Sequence, residues 1–253
     1  MFDPLFLIFL AGVGLVAGFV DAIAGGGGLI TLPVLLSVGF GPIAAIATNK
    51  MQSIVGTTIA VGTYWRGGYV SFRALLVAIV LTLTGSLIGA LVVKRIDTSI
   101  LNVAAPIALI AIAGYFLFAP KLSDEDRVAR LGFSKYVPLV GFVIGFYDGV
   151  FGPGTGSFFT MAFVMLFGLG MTRAAGNTKV LNLFSNLGAL LLFIPSGDVV
   201  WPAAIAMAIG QIAGGYLGAV TGIKFGAKII RPLVIVISVI LALKLLVQQV
   251  MGW

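Results

Sequence analysis

The sequence predicts an all-α polytopic membrane protein made of two inverted five-segment repeats with glycine-broken short or re-entrant helices. Three observations lead to this fold class: the composition, a series of apolar segments, and a similarity between the two halves of the chain. Of the 253 residues, 60% are hydrophobic and only 9% are charged, against about 25% charged in an average soluble domain. A soluble protein of this length could not hide so much apolar side chain from water, so we expect most of the chain to lie in a membrane.

Ten apolar segments account for the predicted helices. Seven are near the ~20 residues that an upright membrane span needs, and three are shorter. In the first half they are Pro4–Ala24, Leu29–Val38, Pro42–Tyr64, Ala74–Val93 and Ile100–Phe118, and in the second half Val137–Phe151, Ser157–Leu169, Ala174–Ile194, Val199–Val220 and Ile229–Met251. The glycine-rich stretches 25–28 and 152–156 break the chain before the two shortest segments. Each short segment could cross the bilayer or form a re-entrant hairpin with the segment before it.

The distribution of Lys and Arg predicts the orientation of a chain whose net charge is +7. If all ten segments cross, ten loop cations fall on one side and only Lys94 and Arg95 on the other. The positive-inside rule makes the first side cytoplasmic, so both termini are predicted to be non-cytoplasmic. The chain then divides into a first transmembrane repeat at 1–118, a cytoplasmic linker at 119–136 and a second transmembrane repeat at 137–253.

The two halves share three blocks of similar residues in the same order. These blocks are Gly18–Asp21 with Gly145–Asp148, Ala47–Lys50 with Gly176–Lys179, and Gly85–Ala90 with Gly214–Ala219. Five crossings per half is an odd number, so the second half is predicted to be upside down relative to the first. Inverted repeats with discontinuous helices are the architecture of many secondary transporters, whose substrate lies near the bilayer midplane between the repeats.

Charged residues inside apolar segments are the first candidates for a functional site, because each costs about 2.5–3.5 kcal/mol at the bilayer centre. Lys50 and Lys179 occupy corresponding positions, and we predict that they face a central cavity and attract an anion. The alternative is that each side chain extends to its nearer membrane interface. Asp21 and Asp148 each precede a glycine break by four residues. They could bond to backbone N–H groups in the break, pair with the lysines, or carry a coupling proton or ion.

Small and polar residues complete the predicted substrate site. Each break presents free N–H groups at the start of a short helix, which suits an anion, and nearby amides and hydroxyls could hold its oxygens. Besides the two lysines, the predicted substrate-binding residues are Thr48, Asn49, Ser53, Asn177, Thr178, Asn182 and Ser185 on the long segments, and Gly26, Gly27, Gly28, Gly154, Thr155 and Gly156 in the breaks. Glycines at four-residue spacing are instead predicted to serve helix packing; they are Gly85, Gly89, Gly210, Gly214 and Gly218.

The composition excludes several classes of function. The chain has no Cys and no His, which removes thiolate chemistry, disulfides, histidine-ligated metals and the Ser-His-Asp triad. The run of glycines at 25–28 is not followed by Lys-Ser or Lys-Thr, so it is not a nucleotide phosphate loop. We therefore expect no enzyme, metal, cofactor or nucleic-acid partner. The expected partners are a small anion and the lipid bilayer, and the glycine-rich faces could serve either internal packing or a homodimer.

Residues Gly18–Gly28, Ala47–Lys50 and Gly145–Gly154 resemble the TauE/SafE sulfite exporter family, also called the toluene-sulfonate uptake permease family, and the similarity extends over nearly the whole chain. The resemblance implies a multi-pass permease of the bacterial inner membrane for sulfite, organosulfonates or other sulfur-containing anions. We expect export by alternating access, with Asp21 or Asp148 available to couple a proton. The resemblance leaves open which anion is carried, in which direction it moves and which ion is coupled. An anion channel, or a cation carrier that uses both aspartates, is the alternative.

Overall fold

The fold is all-helical in a computed structural model that describes residues 3–95, 123–236 and 239–240. The described part contains nine helices and no strand. The helices are α1 (Pro4–Ala24), α2 (Gly28–Ser37), α3 (Pro42–Arg66), α4 (Phe72–Val93), α5 (Phe133–Val150), α6 (Thr155–Met165), α7 (Met171–Phe193), α8 (Trp201–Phe225) and α9 (227–236). The predicted segment Ile100–Phe118 lies outside the described residues, as does most of Ile229–Met251.

The eight predicted segments that fall wholly within the described residues each correspond to a helix. Segment Pro4–Ala24 matches α1 at both ends, and the other bounds differ by up to five residues. The larger differences occur where a helix continues through charged residues: α8 runs past Lys224 to Phe225, and α5 begins at Phe133 before Lys135. An α-helix satisfies its own backbone hydrogen bonds, so it can extend beyond the apolar stretch that the sequence marks.

The two short segments are short helices in the structure. Helix α2 has 10 residues and α6 has 11. By length and composition, three described helices are long and apolar enough to cross a membrane, namely α1, α4 and α8. The long helices α3 and α7 are not among them, because polar residues such as Lys50 and Lys179 interrupt their apolar sequence.

The glycine breaks stop one helix and start the next. Gly25 has a φ of 76°, a left-handed conformation that glycine adopts without a side-chain clash, and its N–H donates to the carbonyl of Asp21 at 2.8 Å. The second break contains two such residues, Gly152 with a φ of 95° and Gly154 with a φ of 82°. The breaks therefore separate α1 from α2 and α5 from α6 without a long loop.

Glycines allow two pairs of helices to pack with their backbones in direct contact. A Cβ atom on any of the glycines predicted to serve packing would overlap a carbonyl oxygen of the facing helix. On α8, Gly210, Gly214 and Gly218 face Ala11, Leu15 and Phe19 of α1; on α4, Gly85 and Gly89 face Phe142 and Phe146 of α5. The prediction that these glycines serve close helix packing is confirmed.

The polar helices α3 and α7 lie at the centre, and apolar helices surround them. Helix α3 packs on α7 and α8, while α7 packs on α3 and α4. The outer faces of α1, α4 and α8 expose large aliphatic side chains, for example Ile8, Val77 and Ile209. Such a surface suits lipid tails and not water. The arrangement places the polar residues of α3 and α7 inside the protein.

Candidate functional site

The two glycine breaks meet at the centre of the molecule. A Cβ atom on Gly25 would overlap the Cα atom of Gly156, and the reverse holds for Gly156. The hydroxyl of Ser157, in the first turn of α6, donates to the carbonyl of Ala24 at the end of α1 over 3.0 Å. The start of one short helix therefore lies against the end of the long helix from the other half of the chain.

Two buried ion pairs join the halves. Lys50 on α3 places its Nζ atom 2.9 Å from Oδ2 of Asp148 on α5, and Lys179 on α7 places its Nζ atom 3.1 Å from Oδ2 of Asp21 on α1. Both lysine side chains are 1% exposed. They therefore do not extend to the surface of the protein. Each lysine is neutralised by an aspartate from the opposite half, which is one of the three arrangements that the sequence left open for Asp21 and Asp148.

The two aspartates have unequal surroundings. Asp148 accepts hydrogen bonds from the ammonium of Lys50, the hydroxyl of Ser185 and, at 2.8 Å, the hydroxyl of Thr155. Asp21 accepts a bond from the ammonium of Lys179 and, at 3.2 Å, one from the backbone N–H of Gly27 in its own break. Lys179 also donates to the backbone carbonyl of Asp21. Asp148 thus has two hydroxyl donors, whereas Asp21 has one backbone donor beside its lysine.

A small cavity lies between the breaks and the central helices. Its volume is about 10 Å³, roughly the room for one water molecule. The lining residues are Asp21, Gly25, Gly28, Asn49, Ser53, Asp148, Gly152, Thr155, Gly156, Asn182 and Asn186. The carboxylates, amides and hydroxyls of the site therefore surround this cavity. Lys50 and Lys179 are not among these lining residues, and the ammonium group of each contacts an aspartate that is.

Several predicted site residues contact the protein away from this cavity. The hydroxyl of Thr48 accepts a bond from the N–H of Val200 at 3.0 Å, just before α8, and Asn177 accepts one from the N–H of Ser71 at 3.3 Å, just before α4. The hydroxyl of Thr178 lies 3.2 Å from that of Thr160. Of the remaining predicted residues, Gly26, Gly27 and Gly154 form the break backbones and Ser185 contacts Asp148.

We call the two ion pairs and the residues around the cavity the polar centre. Four residues outside the predicted set also contribute to it. Asn186 lines the cavity and accepts a bond from Lys50 at 3.5 Å. The amide oxygen of Asn49 accepts bonds from the hydroxyl of Thr31 and, at 3.0 Å, the amide nitrogen of Gln52. Gln211 of α8 is 1% exposed and packs against the backbones of α1 and α3. A search for any polar side chain inside an apolar segment would have selected all four.

Among the residues that the structure describes, no group of three or more acidic, Cys or His side chains comes together to bind a metal. The polar centre instead contains two positive and two negative side chains, and their charges balance within the pairs. A buried centre of zero net charge is cheaper to form in a membrane than isolated ions.

Comparison with known proteins gives the same family that the sequence motifs resemble. The family model described as "Sulfite exporter TauE/SafE" matches residues 10–245. The chain is 40% identical to "Probable membrane transporter protein YfcA" of Escherichia coli (strain K12), with 100% of the chain and 96% of that protein aligned. A "Probable membrane transporter protein" of Haemophilus influenzae is 42% identical, over 95% of the chain and 94% of that protein.

More distant relatives extend the comparison to other bacteria. "Probable membrane transporter protein YunE" of Bacillus subtilis (strain 168) is 25% identical over 96% of the chain and 98% of its own length. The alignments cover almost the full length of these relatives, and the name of each relative describes a membrane transporter. The apolar outer helices and these relatives together make the chain a multi-pass membrane protein. The chain belongs to the TauE/SafE sulfite exporter family of membrane transporters.

Proposed function

We propose that the protein exports small sulfur-containing anions, such as sulfite or organosulfonates, across the bacterial inner membrane, by alternating access around the central cavity and with proton coupling. The observation that carries this proposal is the pair of buried Lys–Asp contacts beside the two glycine breaks. The name of the matching family supports sulfite as the first substrate to test. A cation carrier or an anion channel that uses the same cavity is the second candidate, because both aspartates line the cavity.

The site binds an anion by exchanging one negative partner of a lysine for another. Lys50 and Lys179 are each neutralised by a carboxylate, so an anion has no free positive charge to contact in this conformation. When an aspartate takes up a proton, its lysine keeps a positive charge and can bind an oxyanion instead. The oxygens of the anion would also accept bonds from Ser53, Thr155 and the amide of Asn182. A proton and an anion are then loaded together, and the total charge of the site stays the same.

Asp21 is the better carrier of this proton. In the part of the chain that the structure describes, the hydroxyls of Ser185 and Thr155 donate to Asp148, whereas Asp21 accepts, beside its lysine, from the N–H of Gly27. Separating Asp21 from its lysine therefore disturbs fewer hydrogen bonds. We assign Asp21 the proton and Asp148 the positioning of Lys50.

The small volume of the central cavity requires a conformational change before a substrate can bind. A volume of about 10 Å³ holds one water molecule and is too small for sulfite. The proposed change is a rocking of two inverted repeats, which several matching contacts support. Lys50 meets Asp148 as Lys179 meets Asp21. The close approaches of α4 to α5 and of α8 to α1 use glycines at corresponding positions.

The proposed orientation has both termini on the non-cytoplasmic side. Two observations support it. Lys94, after α4, forms an ion pair with Asp198, before α8. With ten crossings, both of these loops fall on the non-cytoplasmic side. Residues 124 and 126, assigned to the cytoplasmic linker, contact Thr172 and Arg173 at the start of α7, which were assigned to the same side. Labelling of single cysteines at positions 3 and 125 in intact cells would test this orientation.

The first experiment measures uptake of labelled sulfite, sulfate, thiosulfate and a small sulfonate into proteoliposomes, with and without a pH gradient. We expect saturable flux of at least one sulfur-containing anion, faster with the gradient, and loss of that flux in Lys50→Ala/Lys179→Ala. Lys94→Ala is the matched control, because its ion pair with Asp198 lies outside the polar centre. Full anion flux in a correctly folded Lys50→Ala/Lys179→Ala variant would contradict the proposed role of the lysines.

The role of Asp21 has its own test. In Asp21→Asn we expect anion exchange under counterflow conditions to persist while acceleration by the pH gradient disappears. In Asp148→Asn, the flux that remains should still respond to the gradient. The reverse pattern would move the proton to Asp148. Counterflow also separates a carrier from a channel, because a channel does not accelerate exchange. Flux of a cation in place of every tested anion would favour the cation carrier.

A further inference from the structure

A second cavity lies at the surface where α7 begins and α8 ends. Its volume is about 470 Å³, and it shares no lining residue with the central cavity. Tyr69, Asp124, Arg173, Lys224, Phe225 and Lys228 form much of its wall. This size falls in the range of pockets that hold small molecules. The cavity therefore offers room for a ligand that the central site does not have.

The walls of this cavity carry more positive than negative charge, with Arg173, Lys224 and Lys228 against Asp124. Asp124 is fully engaged, because its carboxylate accepts bonds from the N–H of Thr172 at 3.1 Å, the hydroxyl of Thr172 at 2.6 Å and the N–H of Ala227 at 2.9 Å. Arg173 pairs with Asp126. In residues 3–95, 123–236 and 239–240, no carboxylate lies within 4.0 Å of the Nζ atom of Lys224 or Lys228. Two ammonium groups on the cavity wall thus remain available to an anion.

Apolar side chains accompany these cations. Phe225 is 48% exposed, and the ammonium of Lys224 lies 5.3 Å from the centre of its ring. Ile223, on the same helix end, also lines the cavity. A lipid phosphate that carries acyl chains suits such a surface. The cations can bind the phosphate, and the exposed apolar groups can contact the acyl chain. Basic pockets between helices at the cytoplasmic face of a bilayer favour anionic lipid headgroups for this reason.

We propose that this cavity is a phosphate-binding site, held by Lys224 and Lys228, whose ligand is the headgroup phosphate of an anionic phospholipid or a free phosphate. Lysine binds phosphate as a point charge, so two lysines on one wall can share its oxygens. The site connects the end of α8 to the start of α7, the helix that carries Lys179. Binding here stabilises the contact between these helices. This inference does not depend on the transported substrate.

The test measures the thermal unfolding temperature of the purified full chain in a neutral detergent. The additives are short-chain phosphatidylglycerol, phosphatidylcholine of the same chain length, and inorganic phosphate, each titrated separately. We expect a saturable rise with phosphatidylglycerol and a smaller one with phosphatidylcholine, whose choline cancels the phosphate charge. In Lys224→Gln/Lys228→Gln the half-saturating concentration should rise about tenfold or more, since each basic residue near anionic lipid contributes about 1 kcal/mol.

The matched control is Arg66→Gln/Lys135→Gln. Both residues are exposed, and Lys135 lies over the ring of its neighbour Tyr136 at 5.4 Å, as Lys224 lies over Phe225. The control should bind phosphatidylglycerol like the unchanged protein. A saturable rise with inorganic phosphate, while the two lipids act equally, would identify free phosphate as the source. The proposal is wrong if the two lipids act equally and inorganic phosphate has no effect, if the lysine variant keeps its affinity for the compound that binds, or if the control loses as much. Single Lys228→Gln repeats the test if the double variant does not fold.

Discussion

Lys50→Met is expected to destabilise the protein by about 3–5 kcal/mol, the cost of breaking a buried ion pair by removing one partner. The substitution removes the charge but keeps an unbranched side chain of similar length. Asp148, which is 2% exposed, would then keep its hydroxyl donors but lose the ammonium group that contacts it. A double variant, Lys50→Met/Asp148→Asn, should be less destabilised than the sum of the single variants by about 0.5–3 kcal/mol.

The assay is unfolding of the purified protein by sodium dodecyl sulfate in mixed micelles, followed by circular dichroism. Lys94→Met is the matched control, because Lys94 forms a pair of 2.6 Å with Asp198 whose side chains are 26% and 20% exposed. An accessible pair of this kind contributes about 0–1 kcal/mol. The reasoning is refuted if Lys50→Met costs no more than Lys94→Met, or if the effects at Lys50 and Asp148 simply add.

Three further substitutions test the packing of the breaks, the linker and the central helices. Gly156→Ala should cost about 1–3 kcal/mol, because its Cβ would overlap Gly25, whereas Gly62→Ala, with nothing within 4 Å, should cost nothing measurable. Asp124→Ala should lower the unfolding temperature, because it removes the acceptor for the N–H groups of Thr172 and Ala227. The loss of these hydrogen bonds should cost about 1–2 kcal/mol. Glu125→Ala on the exposed loop is the control. Tyr64→Phe should cost about 0.5–1.5 kcal/mol, because the hydroxyl donates to the carbonyl of Ala22 over 3.1 Å. Equal loss in variant and control would contradict the first two expectations, and unchanged stability in Tyr64→Phe would contradict the third.

The sequence predicts the helices well because each depends on local features. Apolar runs of about 20 residues mark spans, and clustered glycines mark breaks. The bounds of α1 to α8 therefore lie within a few residues of the predicted segments. The packing glycines were also identified correctly, because their four-residue spacing places them on one helix face. These features require no knowledge of which helices are neighbours.

The residues around the central cavity overlap in part with those that the sequence predicts for a substrate site. The residues that line the central cavity include Asn49, Ser53, Thr155 and Asn182 from the predicted set, together with both aspartates. Thr48 and Asn177 were placed in the same set because each lies two residues before a lysine, but their side chains accept bonds from the chain just before α8 and α4. Two residues correspond to about 200° around a helix of 3.6 residues per turn, so proximity in sequence does not ensure a shared face.

Membrane character, segment order, glycine breaks and buried charges follow from the sequence alone, because composition and local spacing determine each of them. The tertiary structure decided which charges meet. Lys179 contacts Asp21 across 158 positions of sequence, and Lys50 contacts Asp148 in the same cross-half manner. It also decided that the aspartates, and not the ammonium groups, line the cavity. Partners so far apart in the chain are selected by how the helices pack, and backbone contacts such as Gly25 against Gly156 set that packing.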